Sequence, residues 1–327
     1  MNKRTIALVT GGYSGEAVIS YKSAESIRKN IDEDKWDCYV IDIRQDAWCF
    51  RDNEGKEHPV DRNDFSLVIN GKKINFDAIL LGLHGTPGED GKLQGYFDCL
   101  NIPYTSCNAA TSAITFNKKY TVAVAGSAGI NVARSIQLFH DIPFRADDIR
   151  TSLSFPVFVK PNNGGSSIGM SKVSDPSKLE AAIEKAFRED NQVLVEEFIE
   201  GREFTIGVFK TKNSIIPLPI TEIITDNEFF DFEAKYEGAS REITPAEVDE
   251  IVAGKVRETA LNVYRIFNCN GVVRMDFIYN ESKSEPFLLE INTVPGQSEA
   301  SIVPQQVRAM GWTLKDFYSA LIEDCLT

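Results

Sequence analysis

The first thirty residues follow the pattern of a strand, a glycine-rich turn and a helix, and this pattern constrains the fold most. The run TIALVT (5–10) predicts the strand, GGYSGE (11–16) the turn and AVISYKSAESIRKNI (17–31) the helix. Backbone N–H groups at such a turn, together with the helix N-terminus, commonly bind an anion. Glu16 at the tip of the turn has the wrong charge for a phosphate partner. The rest of the sequence must therefore indicate what this turn binds.

The alternation of strands and helices continues through the first third of the chain. Strands are predicted at WDCYVIDI (36–43) and FDAILLGLH (76–84), and a helix at LQGYFDCL (93–100). This order predicts a small doubly wound α/β domain with functional residues at the carboxyl ends of its strands. Glu16 and His84 both follow strand ends. A lone histidine is more often structural than catalytic, so both interpretations of His84 stay open here.

Length, charge and cysteine content bound the class of protein. A chain of 327 residues predicts two or three domains. No apolar run approaches the roughly 20 residues that span a bilayer, and the apolar start is shorter than the roughly 7-residue core of a signal peptide. Six scattered cysteines without a C-x-x-C motif predict reduced, mostly buried thiols and a cytoplasmic protein without a membrane partner. The net charge of −13 argues against a nucleic-acid partner but does not exclude a nucleotide.

The patterns divide the chain into three predicted domains, at 1–116, 117–207 and 208–327. The second contains a helix, a strand, a glycine loop, a helix and a strand. The third contains strands, a helix, a further pair of strands and a final helix. It also contains a long polar and aromatic loop at 225–246, and loops of that length in compact domains tend to be functional.

Polar side chains alternate with apolar ones on two strands near the C-terminus. Arg274 and Asp276 share one face of GVVRMDFIYN, and Glu290 and Asn292 share one face of PFLLEIN. The short acidic link predicts an antiparallel hairpin that brings the four side chains together. Two carboxylates and an amide oxygen are hard ligands suited to Mg²⁺. The alternative is a salt-bridged, solvent-exposed face.

Two further stretches fit nucleotide binding less specifically. Lys160 ends a strand and is followed by a loop at 162–169 that is rich in Gly and Ser and can bend around an anion. A flexible turn explains that loop equally well. The run VLVEEFIEGREF (193–204) ends a strand in acids that can bind an adenine edge and ribose hydroxyls, and a solvated strand end is the alternative.

Taken together, the motifs resemble those of the D-alanine–D-alanine ligases, which belong to the ATP-grasp superfamily. The resemblance covers nearly the whole chain in order, which is far more specific than any single motif. The matching blocks are GGYSGEAVIS, LHGTPGEDGKLQGYFDCLNIPYT, FNKKYT, VKPNNGGSSIGMSKV, VLVEEFIEGREF, FFDFEAKY and RMDF with FLLEINTVPG.

The resemblance implies an ATP-grasp fold of α/β and α+β type, in which ATP is held between the second and third domains. The residues that match phosphate, adenine, ribose and lid contacts to ATP are Lys118, Lys160, Ser166, Ser167, Glu196, Phe198, Ile199, Glu203 and Lys235. The residues that match ligands of two Mg²⁺ ions, for which Mn²⁺ can substitute, are Asp276, Glu290 and Asn292. The family also implies a homodimer.

The resemblance places the substrate groups as well. Glu16 matches the carboxylate that holds the first D-alanine's ammonium, in a hydrogen-bonded set with Ser166 and Tyr236, and His84 lies near this substrate. Arg274 and the Gly296 N–H match the groups facing the tetrahedral intermediate. The positions that match the surroundings of the second substrate are Ser301 and Ile302.

Three positions depart from the family pattern. Val18 stands where a second acid is usual, which predicts an ammonium clamp with one carboxylate fewer, and Gln297 and Ser298 replace the usual residues after PG. The implied activity is ATP-dependent formation of D-alanyl-D-alanine for peptidoglycan precursors. The alternatives are a related ligase with D-lactate or D-serine as acceptor, and a nucleotide-binding protein without catalysis.

Overall fold

The computed structural model of the chain has three β-sheets surrounded by helices. The structure describes residues 3–165, 168–225 and 240–327. Four predicted site residues lie outside the described residues: Ser166, Ser167, Lys235 and Tyr236. Within the described part of the chain, no helix is both long and apolar enough to cross a membrane.

The first sheet has seven strands in the order β6-β5-β4-β3-β2-β1-β7. Its parallel part comprises β1 (Arg4–Gly11), β2 (Trp36–Ile43) and β7 (Ala78–Leu81). An antiparallel extension, which the sequence pattern did not predict, comprises β3 (Trp48–Arg51), β4 (Glu57–Asp61), β5 (Ser66–Ile69) and β6 (Lys72–Ile74). The helices that follow the parallel strands and lead into the second sheet are α1 (Ala17–Asn30), α2 (Lys92–Leu100) and α3 (Ala109–Phe116).

The second sheet has four strands in the order β10-β9-β11-β8. These strands are β8 (Ser135–Phe139), β9 (Val157–Pro161), β10 (Ser171–Val173) and β11 (Gln192–Glu197), and the associated helices are α4 (Lys118–Ser127), α5 (Ala146–Ser152) and α6 (Leu179–Phe187). The apolar face of α6, with Leu179 and Ile183 fully buried, packs on Val157 and Val193 of the sheet. This burial fixes the sheet whose strands present Lys160 and Glu196.

The third sheet has the path β15-β14-β12-β16-β17, with β13 paired to β12. These strands are β12 (Arg202–Thr211), β13 (Ser214–Pro217), β14 (Thr221–Thr225), β15 (Ser240–Ile243), β16 (Val272–Asn280) and β17 (Glu285–Asn292). The helices of this region are α7 (Glu250–Ile266), α8 (Ile302–Ala309) and α9 (Leu314–Cys325). Because the predicted boundary at 207 falls inside β12, we propose that the third domain begins before Arg202.

The C-terminal helix joins the first and third sheets. Phe317 and Leu321 of α9 share one apolar core with Leu8 of β1 and with Phe209 of β12. Burial of large apolar side chains contributes roughly 1.5–3 kcal/mol each, so this shared core holds the two sheets in a fixed relation. The strand ends of the first sheet thereby lie beside the β16–β17 hairpin.

The six cysteines are all free. Cys49, Cys107 and Cys269 are buried, Cys38 and Cys325 are half-buried, and only Cys99 is exposed. Burial raises the pKa of Cys38 and Cys325 to about 12, which keeps these thiols protonated. Five of the six thiols are thus at least half-buried, and none forms a disulfide.

Candidate active site

Two adjoining cavities lie where the three sheets meet. One, of about 360 Å³, is lined by His84, Gly296 and Ser301 and is called the Ser301 cavity. The other, of about 570 Å³, is lined by Phe158, Phe198 and Ile199 and is called the Phe198 cavity. The predicted site residues that line both are Glu16, Lys118, Glu203, Asp276 and Glu290. Ligands in the two cavities would meet at these shared residues.

The β16–β17 hairpin brings its four polar side chains together as predicted. Arg274 is paired with Asn292, and Asp276 with Glu290, across the antiparallel ladder. The Arg274 guanidinium donates to both oxygens of Asp276, at 3.0 and 2.8 Å. All four residues line the Ser301 cavity. The salt bridge of the alternative interpretation is present, but Arg274 and Asp276 are only 19% and 14% exposed and face a cavity.

The hairpin offers oxygen ligands of the type that Mg²⁺ prefers. Asp276 and Glu290 are carboxylates opposite each other, and Asn292 adds an amide oxygen on the same face. In residues 3–165, 168–225 and 240–327 there is no group of three or more His, Cys, Asp and Glu side chains arranged for a metal. Only two carboxylates take part in the predicted set, so the chemistry of the donors fits Mg²⁺ when phosphate oxygens and water complete the shell.

The Phe198 cavity combines an aromatic, apolar wall with a buried ion pair. Lys160 of β9 and Glu196 of β11 form an ion pair between side chains that are 11% and 7% exposed. Phe158 and Phe198 stand with ring centroids 5.9 Å apart, and the Lys172 ammonium lies 4.2 Å from the Phe198 ring centroid. Apolar walls with a few fixed polar groups are typical of small-molecule sites. Such a wall suits a planar base, as predicted for this segment.

Lys118 connects the phosphate loop to the rest of the site. Lys118 is the first residue of α4, and its ammonium donates to the carbonyl oxygen of Gly164 at 2.5 Å. Gly164 and Gly165 line both cavities. A Cβ added to Gly165 would lie 2.6 Å from Glu16 Oε1. The loop backbone therefore runs directly against the Glu16 carboxylate.

Glu16 is a half-buried carboxylate at the N-terminus of α1. Burial and the nearby Glu89 carboxylate raise its pKa to about 7, while His84 and Lys118 oppose the rise. Its carboxylate is also packed close to Gly85, where an added Cβ would lie 2.6 Å from Oε2. A cationic ligand would relieve the unfavourable burial of its charge. This environment suits an ammonium and disfavours a phosphate.

Position 18, where the family usually has a second acid, lies away from both cavities. Val18 is 60% exposed and does not line either cavity. Glu89 lines the Ser301 cavity, and its Oε1 lies 3.7 Å from His84 Nδ1. Glu89 is therefore an acid beside Glu16, and position 18 contributes none, so the clamp with one carboxylate fewer than the family pattern stays a prediction.

His84 is held from two sides. It is 5% exposed, its backbone N–H donates to Ser20 Oγ at 2.9 Å, and its Nε2 lies 3.0 Å from Ser23 Oγ. Ser23 Oγ also accepts the backbone N–H of Gln297 at 3.1 Å. Helix α1 therefore connects the histidine to the turn that carries Gly296.

The Gln297 side chain secures the same turn. Its Nε2 donates to the Pro295 carbonyl at 3.0 Å, and its Oε1 accepts from the Tyr318 hydroxyl at 3.2 Å. Ser298 and Ser301 hydroxyls are 2.7 Å apart. Gly296, Ser301 and Ile302 line the Ser301 cavity together, as the resemblance implied.

Some residues of the site were not predicted. The Thr205 hydroxyl donates to Asp276 at 2.5 Å. Because Thr205 lies two residues after Glu203 in a strand, the sequence pattern could have placed both side chains on the same face. Glu242 lines the Ser301 cavity but lies in a segment that the sequence presented as loop. Ser23 lies in a helical pattern where a buried serine gave no signal.

Comparisons with known proteins show the family to which the chain belongs. Family models described as D-ala D-ala ligase N-terminus and D-ala D-ala ligase C-terminus match residues 5–107 and 124–323. A D-alanine–D-alanine ligase of Parabacteroides distasonis is 44% identical over 98% of this chain and 97% of its own length. The chain belongs to the D-alanine–D-alanine ligase family.

Solved structures of this ligase family and its relatives have the same fold. The VanG D-Ala:D-Ser ligase from Enterococcus faecalis aligns with a TM-score of 0.88 at 30% identity, over 99% of this chain and 100% of that one. A D-alanine–D-alanine ligase from Bacillus anthracis complexed with ATP aligns with a TM-score of 0.79 at 27% identity, over 99% and 97%. The predicted ATP-grasp fold class is confirmed.

Proposed function

We propose that this member of the ADP-forming ligase family joins two D-alanines with ATP and supplies D-alanyl-D-alanine for peptidoglycan precursors. The observation that carries the proposal is the hairpin of Arg274, Asp276 and Glu290 at the junction of the two cavities. ATP would fill the Phe198 cavity and the amino acids the Ser301 cavity. Their reacting ends would meet at the hairpin.

In the first step the carboxylate of one D-alanine attacks the γ-phosphorus of ATP, which forms a C–O–P linkage and releases ADP. Glu16 and Glu89 hold the ammonium of this D-alanine at one wall of the cavity. Lys118 and Lys160 face the phosphates, and catalysis rests mainly on positioning and charge neutralisation. The backbone at Gly165 lies directly against Glu16, and the phosphates would lie on the other side of this loop.

In the second step the amine of the other D-alanine attacks the acyl phosphate carbonyl, and phosphate leaves. Arg274 and the Gly296 N–H would donate to the oxyanion of the tetrahedral intermediate, and one such donor typically contributes about 10²–10³ in rate. The acyl phosphate must be shielded from water. Lys235 and Tyr236, which lie outside the described residues, are proposed as parts of the covering loop, with Ser166 and Ser167 closing over the phosphates.

Mg²⁺ would be held by Asp276, Glu290 and Asn292, and it would supply neutralisation of phosphate charge. Two ions are proposed, with Mn²⁺ as a substitute. Thr205 and Arg274 orient Asp276 for this role through their hydrogen bonds. A cytoplasmic location and a homodimer complete the proposal, the first supported by the free cysteines.

The test is phosphate release from ATP with D-alanine as the only amino acid, and the product is identified by mass. Release together with D-alanyl-D-alanine supports the proposal. Release that requires D-lactate or D-serine would assign a different acceptor, and ATP binding without turnover would assign a nucleotide-binding protein. Intact Arg274, Asp276 and Glu290 favour the catalytic outcome.

A further inference from the structure

Glu242 is a carboxylate of the Ser301 cavity to which the ligation scheme above assigns no role. It lies in β15, is half-buried, and lines the cavity together with Arg274, Ser301 and Ile302. Its cross-strand partner Ile223 lines the same cavity. The side chain therefore faces the space in which the second amino acid must lie.

The Glu242 carboxylate is fixed against the beginning of helix α8. Gln305 Nε2 donates to Glu242 Oε2 at 2.8 Å and to the Ala300 carbonyl oxygen at 2.9 Å. Ala300, Ser301 and Ile302 all line the cavity. One glutamine thus ties Glu242 to the segment that the family resemblance assigns to the second substrate.

Glu16 and Glu242 belong to different walls of this cavity. Glu16 is packed against Gly85 and Gly165, whereas Glu242 is held by Gln305. The reaction needs two ammonium groups to be bound, one from each D-alanine. The cavity has Glu16, with Glu89 beside it, on one wall and Glu242 on the other, so each wall offers a carboxylate to one ammonium.

We propose that Glu242 binds the ammonium of the second D-alanine and accepts the proton that its nitrogen must lose before attack. The inference rests on the proposed ligase function. The N–H bond breaks and its proton goes to a Glu242 oxygen. The freed lone pair then forms the C–N bond, and the acyl C–O bond to phosphate breaks. The departing phosphate takes the second proton, which the nitrogen loses as it becomes an amide.

The surroundings of Glu242 suit a proton acceptor. Burial raises the pKa of this carboxyl, while the hydrogen bond from Gln305 and the charge of Arg274 oppose the rise. General bases work best when their pKa approaches the working pH. Arg274 is also the proposed oxyanion donor, so the proton acceptor and the oxyanion donor lie within electrostatic range of each other.

The test compares two reactions of Glu242→Gln, which keeps the size of the side chain and an oxygen that can accept from Gln305. The first is dipeptide synthesis. The second traps the acyl phosphate with hydroxylamine, which is uncharged at neutral pH and needs neither the ammonium site nor the base. We expect dipeptide synthesis to fall by about 10²-fold or more, with a raised KM for the second D-alanine, while hydroxamate formation stays within about twofold.

Glu299→Gln is the matched control, because it removes one carboxylate from the neighbouring segment at an exposed position that does not line the cavity. It should leave both reactions unchanged. The proposal is overturned if Glu242→Gln lowers both reactions equally, if it lowers neither, or if it abolishes only use of D-serine. If the wild-type chain forms no D-alanine-dependent hydroxamate, the ligase function fails first and this inference fails with it.

Discussion

Ser23 Oγ lies 3.0 Å from Nε2 of His84, and this contact holds the buried imidazole ring against helix α1. Ser23 is fully buried, and its oxygen already accepts the N–H of Gln297. Among the described residues, His84 Nε2 is its other hydrogen-bond partner. The buried serine proton finds an acceptor only if Nε2 is unprotonated, so we predict that the neutral imidazole carries its proton on Nδ1, on the side of Glu89.

Replacing Ser23 with Ala should remove the contact that favours the Nδ1–H tautomer of His84. Imidazole ¹⁵N spectra are tractable because the chain has three histidines. We expect a single Nδ1–H form of His84 in the wild type and a mixture in Ser23→Ala. Loss of the fixed donor should raise the KM for the first D-alanine by about tenfold, equivalent to one hydrogen bond of roughly 1.4 kcal/mol.

The control for Ser23 is Ser319→Ala, which removes another buried hydroxyl, the acceptor for Trp36 Nε1 at 3.2 Å. Both variants should lose about 1–3 kcal/mol of stability. Only the Ser23 variant should change the tautomer and the KM. An unchanged His84 spectrum in Ser23→Ala, or an equal change of KM in both variants, would refute the positioning role.

Glu290→Gln tests the metal site. The substitution keeps the shape of the side chain but removes one of the two carboxylates that oppose each other in the hairpin. We expect dipeptide turnover to fall by about 10²–10³-fold, the range for one lost electrostatic contact in an active site. The measurement is the steady-state rate across a Mg²⁺ titration.

Glu285→Gln on the same strand serves as the comparison, because Glu285 is exposed and lies at the far end of the hairpin. It should retain full activity and the same Mg²⁺ dependence. Near-wild-type turnover of Glu290→Gln would remove Glu290 from the metal site.

The hairpin and the strand–turn–helix start were predictable because their side chains repeat with the period of their secondary structure. Arg274 and Asp276 alternate with buried residues, and the register then follows from antiparallel pairing. The short strands β3 to β6 were missed. Their segments contain charged and turn residues, such as Glu57 and Asp61, and form strands because tertiary pairing outweighs weak local preference.

The second acid of the ammonium site was missed for a different reason. Val18 is next but one to Glu16 in the chain but is exposed, whereas Glu89 reaches the cavity from a turn after β7. Which acid lines the cavity depends on how the loop after β1 packs against the loop after β7. A local sequence pattern does not predict this tertiary contact. Glu242 and Ser23 also reach the site through tertiary contacts, so the sequence pattern did not predict them.

Gly271→Ala should destabilise the fold. Gly271 has φ +64°, and an added Cβ would lie 2.3 Å from the backbone oxygen of Thr105. Its carbonyl also accepts from the buried Tyr264 hydroxyl at 2.8 Å. We expect a loss of about 3 kcal/mol or more from strain and backbone overlap together. Thermal unfolding measures it.

Gly129→Ala separates the two causes, because Gly129 has φ +84° but nothing within 4 Å of an added Cβ. It should lose only the roughly 1 kcal/mol of backbone strain. Equal losses of thermal stability in the two variants would contradict the prediction, because they would mean that the backbone at Thr105 moves away from the added Cβ without a loss of free energy.

Glu16→Gln should stabilise the chain above neutral pH while abolishing tight binding of D-alanine. The Glu16 pKa is raised from 4.5 to about 7, so the folded chain binds this proton more tightly than the unfolded chain. The contribution of Glu16 to the free energy of unfolding therefore falls as pH rises from 4.5 to about 7. A glutamine has no charge to bury, so Glu16→Gln should be more stable than wild type by about 2–3 kcal/mol at pH 8 and by little at pH 5. The difference in urea midpoint at the two pH values measures this, and a wild type as stable as the variant at pH 8 would contradict the buried charge.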